Sequence, residues 1–372
     1  MSEIIYKSIP HTQDYAPEVS AAPRLNLGLR PMLLVALFGG LMCVFLLSLA
    51  VGSVSIPLDQ IITVLLGGEA EKTSWTNIVL KFRLPAAMTA ALAGAALGVS
   101  GLMMQTFFRN PLAGPFVLGI SSGASLGVAL VVLSAGTVGG ALLAGFGLKG
   151  DLLLASAAAI GAGGTMLIVL MVAGRVRSSM TLLILGLMIG YLVTSLVSLL
   201  LYFAIPERIQ AYISWTFGSF GGVTWNQMPI LAGGVSIGLL VAVILTKSLN
   251  ALLLGEDYAR SLGMNITLTR IALISSTALL AGTVTAFCGP IGFIGVAVPH
   301  LCRSLFNASD HRLLVPGTML MGAIVALLAA LIAQVPGNNL ILPLNAVTAL
   351  IGAPVVIFVI LRQRNLQRSF SA

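Results

Sequence analysis

Charged side chains are scarce in this sequence: Asp, Glu, Lys and Arg together make up 8% of 372 residues, against about 25% in a soluble globular chain. A water-soluble exterior is excluded, because a fold of this length would have to cover its surface with the charge that is missing. Hydrophobic residues reach 58% and the mean hydropathy is +1.05. Lipid is therefore the solvent for most of the outer surface.

Catalytic and redox signatures are missing as well. Cys43, Cys288 and Cys302 lie in apolar stretches with no CxxC and no adjacent His, so they read as small hydrophobes rather than a disulfide or metal set. There is no HExxH, no GxSxG with partners and no paired carboxylate. The nearest approach to a phosphate-binding loop, Gly67…Lys72-Thr73, has Glu71 where backbone N–H groups would have to wrap a phosphate. No catalysis, cofactor or metal is assigned to this chain; an ATPase, with its ATP and magnesium, would be another subunit. Residues 1–30 lack the layout of a cleavable signal and read as a cytoplasmic tail. The net charge of +8 and pI near 9.8 do not describe a nucleic-acid binder, since the cations sit singly in short loops.

What is present is a series of apolar runs of roughly 20 residues, the length that crosses about 30 Å of hydrocarbon. They fall at 32–53, 84–107, 113–135, 152–174, 180–204, 228–247, 271–288, 292–304, 314–334 and 343–361. The eighth is short and follows the break Gly289-Pro290-Ile291-Gly292, as in a broken or re-entrant element. With both termini in the cytoplasm, fourteen of the nineteen Lys and Arg fall inside and only Lys72, Lys81, Arg83, Lys149 and Arg208 outside, the bias of the positive-inside rule. The fold class is thus an all-α polytopic membrane protein of about ten transmembrane helices. The 41 glycines predict close helix contacts.

None of the ten runs has a charge near its middle, which argues against a self-powered carrier and against a channel with charged rings. Two outer segments, 54–82 and 205–227, carry Trp75, Trp215, Trp225 and Tyr212, and the stretch from Ile213 to Gly218 reads as a helix along the outer surface. The longest inner connector, 248–270, contains Leu254 to Gly263. There Glu256 and Asp257 open a short helix, Arg260 closes it, Gly263 caps it, and Leu254, Tyr258 and Leu262 share a face. A soluble partner should dock on it. His300 and His311, near the inner surface, read as structural hydrogen-bonders.

Several stretches in a fixed order then resemble one family, the permeases of the iron-siderophore, haem and cobalamin ABC importers: Arg83-Leu84-Pro85 with the Gly-rich run 90–127, WTFGSFGGVTW (215–225), LLLGEDYARSLGMN (252–265), GPIGFIGVAVPHLCRSLFNASDHRLLVPG (289–317) and TALIGAPVVIFVILRQR (348–364). The resemblance covers about 80–364. It implies a type II ABC importer permease fold over 31–364, followed by a cytoplasmic tail over 365–372. It also implies a second permease subunit, identical or not, two ATPase subunits below and a periplasmic or lipid-anchored binding protein above, in a bacterial inner membrane. Position by position, Gly255, Glu256, Ala259, Arg260, Leu262 and Gly263 match the ATPase-coupling helix. Arg83 matches an outer arginine that docks the binding protein, and Ser178 and Ser179 fall at the cytoplasmic gate. Candidate wall residues of the translocation path are Met103, Met104, Gln105, Ser121, Ser122, Tyr191 and Asn345. The sequence departs from the family at Ala86, Ala330, Gln334, Ile341 and Asn345, so two of three expected docking cations are missing. A non-identical partner permease carrying them, or uncharged docking, is the expectation. The cargo implied first is a ferric siderophore, with haem or cobalamin as the alternative. A ten-helix secondary transporter or channel is the competing class.

Overall fold

A computed structural model describes residues 29–133, 151–176, 178–334 and 341–369, and every regular element among them is helical. Residues 1–28 of the expected N-terminal tail, Lys149 and Arg177 from the charge count, and residues 370–372 of the expected C-terminal tail lie outside the described residues.

The chain opens with α1 (Leu29–Ala50), followed by the short helices α2 (Leu58–Leu65) and α3 (Thr73–Ile78); a π turn over Val79–Arg83 carries α3 into α4 (Leu84–Phe107). A 3-10 turn, Pro115–Leu118, leads to α5 (Ile120–Val132). Then come α6 (Asp151–Ala173), α7 (Ser179–Tyr202), α8 (Pro206–Thr216), α9 (Met228–Ile244), α10 (Thr246–Leu254) and α11 (Glu256–Ser261). The last four are α12 (Ile266–Cys288), α13 (Ile294–Phe306), α14 (His311–Ala333) and α15 (Leu344–Ser369).

Six of these runs are long and apolar enough to cross a bilayer: α1, the continuous α3–α4, α6, α7, α12 and α14. Helices α9 and α10 pass the same test only together, as a pair bent by 51°, and α5, α13 and Leu344–Phe358 of α15 are shorter apolar helices. These are the ten apolar runs of the sequence, in the same order. Where the structure differs, the cause is local. The second run begins at Thr73, not 84, because the π turn absorbs Lys81 and Arg83 without breaking the helix. The third starts at Ile120, because Pro111 and Pro115 hold the preceding stretch in turns. The final helix continues to Ser369, through most of the expected tail.

Helix α4 is the hub, packing against α9, α12, α13 and α14, with 83% of its apolar window buried; in α7 the share is 28%, so a long side of that helix is open. Small residues make this possible. A Cβ at Gly94 would stand 2.1 Å from the Gly322 carbonyl oxygen of α14, and one at Gly161 would stand 2.1 Å from the Gly123 carbonyl oxygen of α5. Backbones in contact leave no room for a side chain, the packing mode expected where lipid removes the usual hydrophobic drive between helices.

The break before α13 is closed by protein. Gly289 and Phe293 have φ of 75° and 64°; the Gly292 N–H donates to Asn345 Oδ1 at 3.0 Å, Asn345 N–H to the Phe217 carbonyl at 3.0 Å, and Ser219 N–H to the Cys288 carbonyl at 2.8 Å. Irregular backbone at membrane depth survives only with such partners. His300 Nε2 donates to the Pro111 carbonyl at 2.7 Å, and His311 bonds Asn250 and Thr106, both at 2.8 Å.

Candidate functional site

The inner connector consists of the short helices α10 and α11, joined at Gly255. Gly255 sits at φ 118°, ψ 151°, backbone open to glycine alone, and turns α10 sharply into α11. At the far end Gly263, φ 83°, closes the helix: its N–H donates to the Arg260 carbonyl at 2.9 Å and Met264 N–H to that of Ala259 at 3.1 Å, a left-handed glycine cap. Asn265 then caps α12, accepting from Leu268 N–H at 3.0 Å.

This turn has an inside and an outside. Ala259 is fully buried, and Glu256 pairs through Oε2 with Arg270 Nη2 at 3.4 Å. Leu254, Tyr258 and Leu262 point out, 64%, 51% and 63% exposed, and Arg260 and Asp257 stand beside them in a solvated 3.8 Å pair. Three large apolar side chains displayed together beyond the apolar crossings mark a contact surface. Of the six residues matched to the coupling helix, Arg260 and Leu262 face outward, while Gly255, Glu256, Ala259 and Gly263 shape and seat the turn.

Two arginines that sequence reading counted only as inner-face charge hold the turn in place. Arg109, itself in a left-handed conformation after α4, donates through Nη2 to the carbonyls of Leu252 and Leu253 at 3.3 and 3.1 Å. Arg270 lies over the Phe107 ring, 5.8 Å from its centroid, and besides Glu256 it donates through Nη1 to the Val176 carbonyl. The second contact joins the turn to the segment leading into α7. Ser178 is the N-cap there, accepting from Thr181 N–H at 3.4 Å, with half-buried Ser179 next to it. The only signal in the sequence was an Arg in an otherwise apolar helix.

At the opposite end, Arg83 is half-buried and bound to backbone. Its guanidinium donates to the carbonyls of Leu49 (2.7 Å), Ala50 (3.0 Å) and Val54, closing the end of α1. The orphan carbonyls and partial negative charge of a helix C-terminus provide the counter-charge. The structure gathers Arg83, Ala86, Ala330, Gln334 and Ile341 around one depression of about 150 Å³, so the positions where the family's docking groups were sought form one place.

The candidate wall residues separate into two groups. Met103 and Met104 are wholly buried and Gln105 nearly so, with Nε2 on the Val296 carbonyl at 3.1 Å and Oε1 accepting from Arg303 at 2.5 Å. Asn345 is committed to Gly292. Met103, Met104 and Gln105 face the interior of the subunit, because α4 is packed round by its neighbours, while Asn345 is half-buried at the start of α15. Tyr191, by contrast, is 66% exposed on the open side of α7. Half-buried Ser121 and Ser122 lie at the start of α5, and Ser122 Oγ accepts from Thr194 Oγ1 of α7 at 3.3 Å.

Comparison with known proteins agrees with this architecture. Residues 40–362 match the FecCD transport family. The chain belongs to that family. It is an ABC importer permease, a transport subunit rather than an ATPase. Similar members include the vitamin B12 import system permease protein BtuC of Citrobacter koseri, 37% identical over 287 residues, covering 77% of this chain and 83% of that one. The protein of that name from Salmonella typhi is 37% identical over 285 residues, covering 76% and 83%. Among solved structures, a metal-chelate type ABC transporter in an inward-facing conformation superposes with a TM-score of 0.77 at 28% identity, covering 89% of this chain and 99% of that one. In this FecCD member Arg270 joins Glu256 of the turn at 254–263 to Val176, ahead of α7.

Proposed function

We propose that this chain forms half of the passage in a bacterial inner-membrane importer of a metal chelate, taking its cargo from a binding protein and its energy from separate ATPase subunits. The observation that carries this reading is the docking turn: exposed Leu254, Tyr258 and Leu262 on a base locked by Arg109 and Arg270. Nucleotide-driven movement of an ATPase pair below would push the turn, and Arg270 would pass the displacement to the Val176 carbonyl and so to Ser178, Ser179 and the inner end of α7. The open side of α7, with Tyr191, faces the passage and a second permease. Nucleotide and loaded binding protein each select a state of the passage, so the coupling is mutual. Outer docking proceeds through the uncharged rim around Gln334 and Ile341 or through cations of a non-identical second permease.

A cobalamin-type cargo is favoured by the two vitamin B12 permeases of 37% identity. The ferric siderophore implied by the sequence resemblance is the second candidate, and the solved transporter of similar fold is of the metal-chelate type. The test is reconstitution of the complex in vesicles. ATP hydrolysis should rise when loaded binding protein is added and fall to basal on Tyr258→Asp with Leu262→Asp, and a panel of cobalamin, haem and ferric chelates should show which one is taken up. Uptake driven by an ion gradient without ATP overturns the reading.

A further inference from the structure

We propose that the bend between α9 and α10, together with the first turns of α14, is a binding site for an anionic phospholipid of the inner leaflet. The 51° bend opens a cavity of about 500 Å³ against α14. Its walls are Val243 and Ile244 at the end of α9 and Val315 and Met319 on α14; its rim carries Lys247 and Arg312. The two halves differ in chemistry in the order that a phospholipid does, apolar walls continuing the membrane-crossing helices and two cations where those helices leave the hydrocarbon. Basic pockets between membrane helices on the cytoplasmic side take anionic headgroups in this way.

Three features favour that occupant. Ile244 is 68% and Val243 50% exposed at a depth where the surrounding solvent is hydrocarbon, so an acyl chain covers them at no cost in ordered water. Lys247 and Arg312 are both exposed, and the ion pairs found among the described residues, Arg260–Asp257 and Arg270–Glu256, use neither. The carboxylate nearest the rim, Asp310, already accepts from Asn250 Nδ2 at 2.7 Å and from the Arg312 N–H at 2.9 Å, and with it included the rim still has an excess of positive charge. A soluble phosphate would satisfy the cations and leave the apolar walls uncovered; a neutral lipid would do the reverse.

The site stands at the foot of the docking turn. Lys247 lies in the first turn of α10, whose far end is Gly255, and Asn250 of the same helix is bonded to Asp310 and His311 of α14. A phosphodiester held between Lys247 and Arg312 adds a second tie across the same two helices and fixes the angle at which α10 presents the turn. This regulatory consequence rests on the proposed role of the turn; the lipid site itself does not.

The test uses the assembled complex in nanodiscs of phosphatidylcholine with or without phosphatidylglycerol, with retained lipid counted by native mass spectrometry. Wild type should retain phosphatidylglycerol in preference. Lys247→Gln and Arg312→Gln should each lower that preference about fivefold, the charge-conserving pair Lys247→Arg with Arg312→Lys should keep it, and Arg175→Gln, another exposed inner cation, should leave it unchanged. Unaltered retention in the double glutamine variant, an equal loss in Arg175→Gln, or displacement by soluble glycerol phosphate as effective as by the lipid overturns the proposal. ATP hydrolysis by the same samples reads the second part: stimulation by phosphatidylglycerol should vanish with the binding. If binding is lost while stimulation persists, the regulatory tie is wrong and the site stands.

Discussion

Arginine guanidinium groups in this chain close helix ends. Arg83 binds the last carbonyls of α1, Arg109 those of α10, Arg208 the Leu133 carbonyl at 3.1 Å just past α5, and Arg270 the Val176 carbonyl just past α6. With 19 basic and 11 acidic residues, carboxylates are too few to pair with every cation, and helix C-termini, which carry partial negative charge and unsatisfied oxygens, take their place. Arg270→Gln removes the link between the turn and the Val176 carbonyl ahead of α7: if the proposed coupling runs through it, ATP hydrolysis should persist while transport per ATP falls at least several-fold, measured in the same vesicles, and unchanged stoichiometry would rule the link out. Asp310 gives a pH dependence. Burial works to raise its carboxyl, but the Arg312 N–H, the Asn250 amide and the Arg312 charge together hold it below the ordinary value. A depressed folded value means a contribution present above the unfolded pKa of about 3.9 and lost as pH falls through the folded one. Melting temperature should therefore drop on acidification below about pH 4, and Asp310→Asn should flatten that part of the profile; an identical slope in the variant counts against it.

At the scale of the element, the docking turn depends on two glycines and one apolar face. Gly255→Ala forces a side chain into a conformation that costs about 1–3 kcal/mol and places its Cβ 3.1 Å from the Arg109 guanidinium. The turn should shift, and ATPase subunits should co-purify less well while the permease still inserts. Tyr258→Ala tests the face itself. A central aromatic anchor contributes about 2 kcal/mol or more, so affinity for the ATPase pair should fall roughly 30-fold, read by titration in detergent; a change under twofold would place the contact elsewhere. In the helix pair α4–α14, Gly322→Val puts a Cβ 2.2 Å from the Gly94 carbonyl oxygen. Overpacking of this kind costs about 1–3 kcal/mol, and a lowered melting temperature with normal membrane insertion is the expected result.

For the whole molecule, the open side of α7 and the exposed face of the turn at 254–263 are two separate surfaces, where the proposed second permease and ATPase subunits would sit. Purified complex should contain two permease positions. A single permease species of this sequence that strictly needs acidic residues on its binding protein would exclude both the uncharged rim and the non-identical partner. Run length and the order of five motifs determined the ten apolar helical runs and the family, because hydrocarbon thickness acts on every segment locally. The turn at 254–263 was equally legible, since a helix dipole and a glycine cap are written in adjacent residues. Tertiary structure alone decided the rest. Helix α4 is apolar and small all round, so no periodicity could say that Met103, Met104 and Gln105 lie inside while Tyr191 on α7 lies open. Arg83, Arg109 and Arg270 bind backbone oxygens tens of residues away or more, and a carbonyl has no letter in the sequence; only the packed helices could bring those partners within reach.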